Sequence, residues 1–179
     1  HFAREFGVEC SVMRLLFDYD RYHELDLLLG ALSPAGLRVL DYGSGAGDYG
    51  VVFAKLGATV TFYDFPDMLV CPQMRCRRLG LGAEFVAVPG DVGTDFDLII
   101  FSEVLEHLED PLAVLRKFEK VKYIFSTAYP YVAETSSYFS KNGHSPEAQG
   151  QVRACRDFLA ERSAHRALKH CHYHVANAR

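Results

Sequence analysis

The stretch VLDYGSGAGDYG, residues 39–50, carries two glycine motifs laid over one another. From Asp41 it reads D-x-G-x-G-x-G, and from Gly45 it reads G-x-G-x-x-G. The first spacing points to a nucleoside-sulfonium ligand and the second to a dinucleotide. Position along the preceding strand separates them. A dinucleotide loop needs its first glycine directly after the strand, so that the backbone turns tightly under the pyrophosphate. If that glycine were Gly45, the strand would run on through Asp41, Tyr42, Gly43 and Ser44, a polar, glycine-containing end that suits a buried central strand poorly. If the turn starts at Gly43, the strand ends at Asp41-Tyr42 and the loop is residues 43–47. Asp48 then falls in the first helical turn, where its charge favours the helix dipole and would oppose a pyrophosphate. Asp41, at the strand end, offers an anion to a cationic group.

Working outward, strand-length apolar runs alternate with helical patterns. LRVLDY (37–42) is a first strand. Tyr49, Val52, Phe53 and Leu56 recur at helical spacing, and Gly57 follows as a stop signal. ATVTFYD (58–64) is a second strand. A helix is expected within residues 67–79, with Pro72 marking its start or a kink. EFVAV (84–88) is a third strand. FDLIIF (96–101) is a fourth, apolar enough to be buried on both faces. A short helix is expected over 103–108. A further helix runs from the Asp110-Pro111 cap to about Lys120. KYIFSTAY (122–129) is a fifth strand, and residues 130–144 read as a long polar and aromatic loop. Ser145-Pro146 opens a last helix to about Arg162, and ALKHCHYHVANA (167–178) alternates as a final strand. Leu25, Leu28, Leu29 and Leu32 mark an N-terminal amphipathic helix ended by Pro34 and Gly36. It serves either as core cover or as a lid, with Tyr19, Tyr22 and His23 as the residues that would face a pocket. The alternation predicts an α/β fold, a doubly wound, mostly parallel sheet of six to seven strands with helices on both faces. It adds an N-terminal helical cap over 1–35 and a single globular unit over 36–179. Ligands of such sheets bind at the strand carboxyl ends, where the glycine motif lies.

Composition narrows the partners. The 179 residues are 49% hydrophobic with net charge −4, so one domain with a real core is expected and a nucleic-acid or anionic-membrane partner is disfavoured. The only basic cluster, Arg75, Arg77 and Arg78, is short and reads as a solvated helix face. No apolar run approaches the roughly 18 residues of a membrane helix. The start lacks an apolar signal core, and it opens on His1 rather than methionine, which leaves room for residues upstream. The five cysteines are odd in number, scattered and without a C-x-x-C pair, as expected of reduced thiols in a cytoplasmic protein. His170, His172 and His174 share one face of the expected tail strand at a spacing compatible with metal. Cys171, Tyr173 and Val175 fall on the other face and make a core side, so histidines on the solvent face of an edge strand explain the spacing with no ligand, and no metal is assigned.

Asp64 ends the second strand at a distance compatible with a ribose-binding acid in either kind of site, so it does not discriminate. Together, VLDYGSGAG, VTFYDFP, GDV and FDLIIFSEVLEHLEDP, in this order and spacing, resemble the class I S-adenosylmethionine-dependent methyltransferases. The resemblance covers about residues 38–130, and the Leu-Glu-His after the fourth strand is its most specific part. It implies a Rossmann-like methyltransferase fold with S-adenosyl-L-methionine as cofactor and S-adenosyl-L-homocysteine as product. Asp41 and the loop residues Gly43, Ser44, Gly45 and Gly47 would hold the methionine part. Asp64 would bind the ribose and Phe65 would lie along the adenine. Asp91 with Val92 would meet the adenine edge. Ser102, Glu103 and Val104 would line the methionyl end. Phe65-Pro66 stands where the family more often has a small polar pair.

Methyl transfer from a sulfonium needs alignment, exclusion of water and, for some acceptors, a base. His107 and His144 are the candidate bases, with Tyr129 and Tyr131 as orienting groups. His107 lies four residues after Glu103 and would share its helix face; alternatively it pins that helix through the backbone. The chain carries neither an Asn/Asp-Pro-Pro-Tyr motif nor a proline-cysteine nucleophile, which with the acidic balance favours a small-molecule acceptor at oxygen, nitrogen or carbon. The alternative is a non-catalytic cofactor-binding protein of the same fold acting as a partner subunit. A dinucleotide oxidoreductase stands third. The oligomeric state is not legible in the sequence.

Overall fold

Apolar runs too short for helices fold as strands and the amphipathic stretches between them as helices, giving a mostly parallel α/β fold. A computed structural model describes residues 19–127, 154–155, 157–161 and 176–177. They divide between Leu98 and Ile99 into two units.

In the first unit, helix α1 (Tyr19–Ala31) precedes β1 (Arg38–Tyr42), α2 (Asp48–Lys55), β2 (Thr59–Asp64), α3 (Pro66–Leu79) and β3 (Glu84–Ala87). The strands lie in the order β3-β2-β1. β1 and β2 are parallel from Arg38↔Thr59 to Tyr42↔Tyr63, and β2 and β3 from Thr61↔Glu84 to Asp64↔Ala87. This register brings the carboxyl ends of all three strands to one edge. Val39, Leu40, Val60 and Phe62 are buried in the middle, and Phe62 stacks on its register partner Phe85, ring centroids 5.2 Å apart.

Several boundaries differ from expectation. α2 buries Tyr49, Gly50, Val51 and Phe53, whereas Leu56 is 44% exposed because the helix ends at Lys55 and Leu56 is its cap. α3 begins at Pro66, where a missing N–H costs nothing. Pro72 therefore lies inside the helix and does not mark its start, and it is buried. In α1, Leu28 is buried while Leu25 and Leu29 are only half-buried, and Tyr22 is 58% exposed.

β4 (Leu98–Ser102), all but its first residue in the second unit, leads to a single 3-10 turn (Leu105–His107), α4 (Pro111–Lys117) and β5 (Tyr123–Thr127). β5 pairs antiparallel with β6 (Ala176–Asn177), the described part of the expected tail strand. Residues 157–160 are helical, within the expected last helix. β4 starts at Leu98, later than expected, because Asp97 is engaged with Arg38. Their backbones exchange a bond through Asp97 N–H, and the Asp97 carboxylate accepts from Arg38 N–H. Asp110 caps α4 by accepting from Ala113 N–H at 2.9 Å, with Pro111 in the first turn. The helix stops at Lys117, not Lys120. The bonds Phe118 N–H to Leu115 O and Glu119 N–H to Arg116 O tighten its end to a three-residue pitch as Phe118 enters the core.

Candidate functional site

β1 ends at Tyr42, so Gly43 opens the turn. Gly43, Gly45 and Gly47 adopt φ of 69°, 52° and 75°, where a side chain would be strained. The loop turns its amides inward. Gly43 and Ser44 N–H donate to Tyr63 O at 2.8 and 3.3 Å, and Gly47 N–H to Ser44 O at 2.7 Å. Gly45 N–H donates to Asp64 Oδ2, also at 2.7 Å. A pyrophosphate cradle needs such amides free to face the anion. Four are spent inside the protein, and the Asp48 carboxylate stands in the first turn of α2. Only the last glycine of the dinucleotide spacing plays its usual part. A Cβ on Gly50 would meet Phe62 and would lie 2.8 Å from Asp41 Oδ2, so Gly50 permits close helix–strand packing. The overlapping motif is a consequence of that packing.

Asp64 closes β2 beside the loop, with Oδ2 on Gly45 N–H and Oδ1 accepting from Phe65 N–H at 2.7 Å. A carboxylate has about four acceptor positions, so about two remain, matching the two hydroxyls of a ribose. Burial pushes the Asp64 carboxyl above the usual carboxylate range, against the lowering effect of the two backbone amides. Phe65 is 54% exposed at the mouth of this edge. Ser44 Oγ is buried and has no hydrogen-bond partner among the described residues. An uncompensated buried hydroxyl is costly, and a ligand in the loop would supply the partner. Asp41 is buried, and its Oδ2 accepts from Gly50 N–H at 2.9 Å, tying β1 to α2. Asp91 is exposed after β3, accepting from Gly93 N–H, and Val92 is half-buried. These residues share the carboxyl edge of β1, β2 and β3. Their carboxylate acceptors and spent amides fit a nucleoside whose extension carries a cationic centre, not a pyrophosphate.

Arg75 does not belong to a solvated face. It is half-buried, and its Nη1 donates to Ala46 O at 2.7 Å and Asp48 Oδ1 at 2.8 Å. Nothing in the Arg-Cys-Arg-Arg run signals this, because the partners are supplied by the loop.

In the second unit, Ser102 ends β4 and Glu103 follows it. Glu103 N–H donates to Thr127 O, and Thr127 Oγ1 to Ser102 Oγ at 3.1 Å. Glu103 has φ of 54°, rare for a side-chain-bearing residue and costly by roughly 1–3 kcal/mol. This conformation ends the strand and keeps Glu103 out of any helix, so the expected shared helix face with His107 does not form. His107 is exposed in the 3-10 turn, with its backbone N–H on Val104 O. Tyr129, Tyr131, His144, His170, His172 and His174 lie outside the described residues. Among the described residues no group of histidine, cysteine and acidic side chains could hold a metal ion. An open depression of about 430 Å³, lined by Leu29, Leu32, Pro34, Leu56 and neighbouring residues, shares no residue with the glycine edge.

A family model described as a methyltransferase domain matches residues 17–176. A ubiquinone biosynthesis O-methyltransferase from Xanthomonas axonopodis pv. citri is 34% identical over 98 residues, 51% of this chain and 41% of that protein. The protein of the same name from Ruegeria pomeroyi is 35% identical over 99 residues, 52% and 40% of the two chains. This chain thus spans about two-fifths of the length of these curated relatives. Magnesium protoporphyrin IX methyltransferase from Synechocystis PCC 6803, solved with bound SAM, shares the fold at TM-score 0.61 and 19% identity. The match covers 89% of this chain and 77% of that one. A glycine loop closed onto the acid of the second strand, inside a mostly parallel α/β fold and under a family model spanning most of the sequence, places this chain in the methyltransferase domain family, of the class I S-adenosylmethionine-dependent type.

Proposed function

We propose that this chain catalyses S-adenosylmethionine-dependent methyl transfer to a hydroxyl oxygen of a small metabolite. The observation that carries the reading is the inward-turned glycine loop, whose Gly45 N–H is spent on Asp64 while the buried Ser44 Oγ has no partner among the described residues. That arrangement favours a sulfonium-bearing nucleoside over a dinucleotide. Oxygen as the acceptor atom rests on the two relatives named O-methyltransferases, which also suggest an acceptor of the kind used in ubiquinone biosynthesis.

The cofactor, when bound, supplies a methyl carbon already activated on sulfur. The protein's part is to hold and align it and to exclude water. In this reading the 43–47 loop, with Ser44 and Asp41, holds the methionine end. Asp64 accepts from the ribose hydroxyls, Phe65 lies along the adenine, and Asp91 with Val92 meets its edge. Ser102 and Glu103 serve the methionyl end. His107 or His144 takes the acceptor's proton, with Tyr129 orienting it. The finer architecture belongs to the same reading: six to seven strands, a helical cap over 1–35 and one domain over 36–179. So does a cytoplasmic setting, supported by buried free thiols at Cys71, Cys76 and Cys155. No helix among the described residues is long and apolar enough to cross a membrane.

Calorimetric titration with S-adenosylmethionine, S-adenosylhomocysteine and NAD, on this chain and on Asp64→Ala, tests the proposal. The first two bind and weaken roughly 10- to 100-fold in the variant, the loss expected for hydrogen bonds to a charged group, and NAD does not bind. Binding of NAD alone overturns the reading. Cofactor binding with no S-adenosylhomocysteine release across a panel of phenolic acceptors favours a non-catalytic partner subunit.

A further inference from the structure

We infer that Arg75 is a positioning residue for the methionine end of the cofactor, acting through the glycine loop without touching the ligand. The inference rests on the methyltransferase reading above. Ala46 sits between two left-handed glycines, Gly45 and Gly47, the part of the loop with the most backbone freedom to lose. Its carbonyl accepts from Arg75 Nη1 at 2.7 Å, and the same nitrogen reaches Asp48 Oδ1, in the first turn of α2, at 2.8 Å. One guanidinium nitrogen therefore fixes both the loop and the start of the helix that follows it. The pair is sheltered, with the Arg75 and Asp48 side chains 27% and 14% exposed, so water competes weakly for these bonds. One turn earlier on α3, Pro72 supplies a steric stop. A Cβ added to Gly47 would lie 2.7 Å from Pro72 Cβ. Helix α3 thus backs the loop at two points, one polar and one steric. The loop's other polar groups, Gly45 N–H on Asp64 and Ser44 Oγ, which has no partner among the described residues, belong to the ligand edge of the proposed function. Without Arg75 the Ala46 carbonyl loses a charged donor, and Gly45 and Ser44 lose their fixed approach to the ligand.

The test compares S-adenosylhomocysteine with methylthioadenosine, which keeps the adenosine but lacks the amino-acid end, by calorimetry on Arg75→Met, Arg75→Lys and Arg77→Ala. Thermal melts check folding. Arg75→Met weakens S-adenosylhomocysteine roughly tenfold, the loss of about one charge-assisted bond, and leaves methylthioadenosine within about twofold. Arg75→Lys recovers most of the loss, because an ammonium can donate to both oxygens from one nitrogen. Arg77→Ala, on an exposed residue of the same helix, changes neither. Equal losses for the two ligands, or no loss, overturn the inference while leaving the methyltransferase reading standing. Failure of the unaltered chain to bind either ligand overturns both. Should Arg75→Met not fold, Arg75→Gln, which keeps a polar end but loses the charge and the reach to Ala46 O, carries the test, with the same selective loss expected and unaltered selectivity as the overturning result.

Discussion

Asp64 meets two opposing demands. Burial raises its pKa, while the Gly45 and Phe65 amides favour the ionised form without fully offsetting that burial. The folded-state pKa therefore lies above the unfolded value, and the native state holds this proton more tightly. By itself the group costs stability above its folded pKa, and that cost is relieved as pH falls through it. In the proposed function ribose hydroxyls donate to this carboxylate, so binding is expected to have the opposite dependence. Affinity for S-adenosylhomocysteine is full above the raised pKa and declines as pH falls through it, with proton uptake on release. Titrations over a series of falling pH show this decline in the unaltered chain and a flat profile in Asp64→Asn. A decline of the same size in the variant assigns the titration to another group. The acid itself was legible as the last residue of a strand. Its coupling to Gly45, 19 residues away, was not, since sequence spacing carries no hydrogen-bond direction.

Helix α2 is held from both sides. Its Gly50 lies against Phe62 and Asp41 of the sheet, and the Tyr49 hydroxyl donates to Glu24 Oε2 of α1. Both members of that pair are buried, at 3% and 6% exposure. Tyr49→Phe removes the donor and leaves a buried carboxylate less satisfied, so it lowers unfolding free energy by about 1–3 kcal/mol. Urea denaturation reads this as a lower midpoint at unchanged slope, and an unchanged midpoint refutes the pairing as a tether of α1. Periodicity placed both helices from their apolar positions. The sequence pattern put Leu56 on the buried face and a start or kink at Pro72, because it does not register where a helix stops or which neighbour a proline ring can rest on.

At the scale of the whole molecule, a ligand that binds only the folded chain stabilises it by mass action. Saturation with S-adenosylhomocysteine at about a hundred times its dissociation constant adds about 2.7 kcal/mol. A melting scan shows an upward shift with this ligand, a smaller one in Asp64→Ala and none with NAD. A shift with NAD equal to that with S-adenosylhomocysteine contradicts the assignment of the glycine edge. The sequence by itself determined the alternation of strands and helices, the end of β1 at Tyr42, the Asp110-Pro111 cap and the glycines of the loop. These follow from local rules: side-chain periodicity, the φ a residue tolerates and the donors a helix end lacks. Only the tertiary structure decided that Gly45 meets Asp64, that Arg75 reaches a carbonyl 29 residues away, and that Glu103 is held left-handed by a bond to Thr127. Those contacts depend on strand register and on how α3 lies against the loop, quantities set by packing across the chain and not by any stretch of it alone.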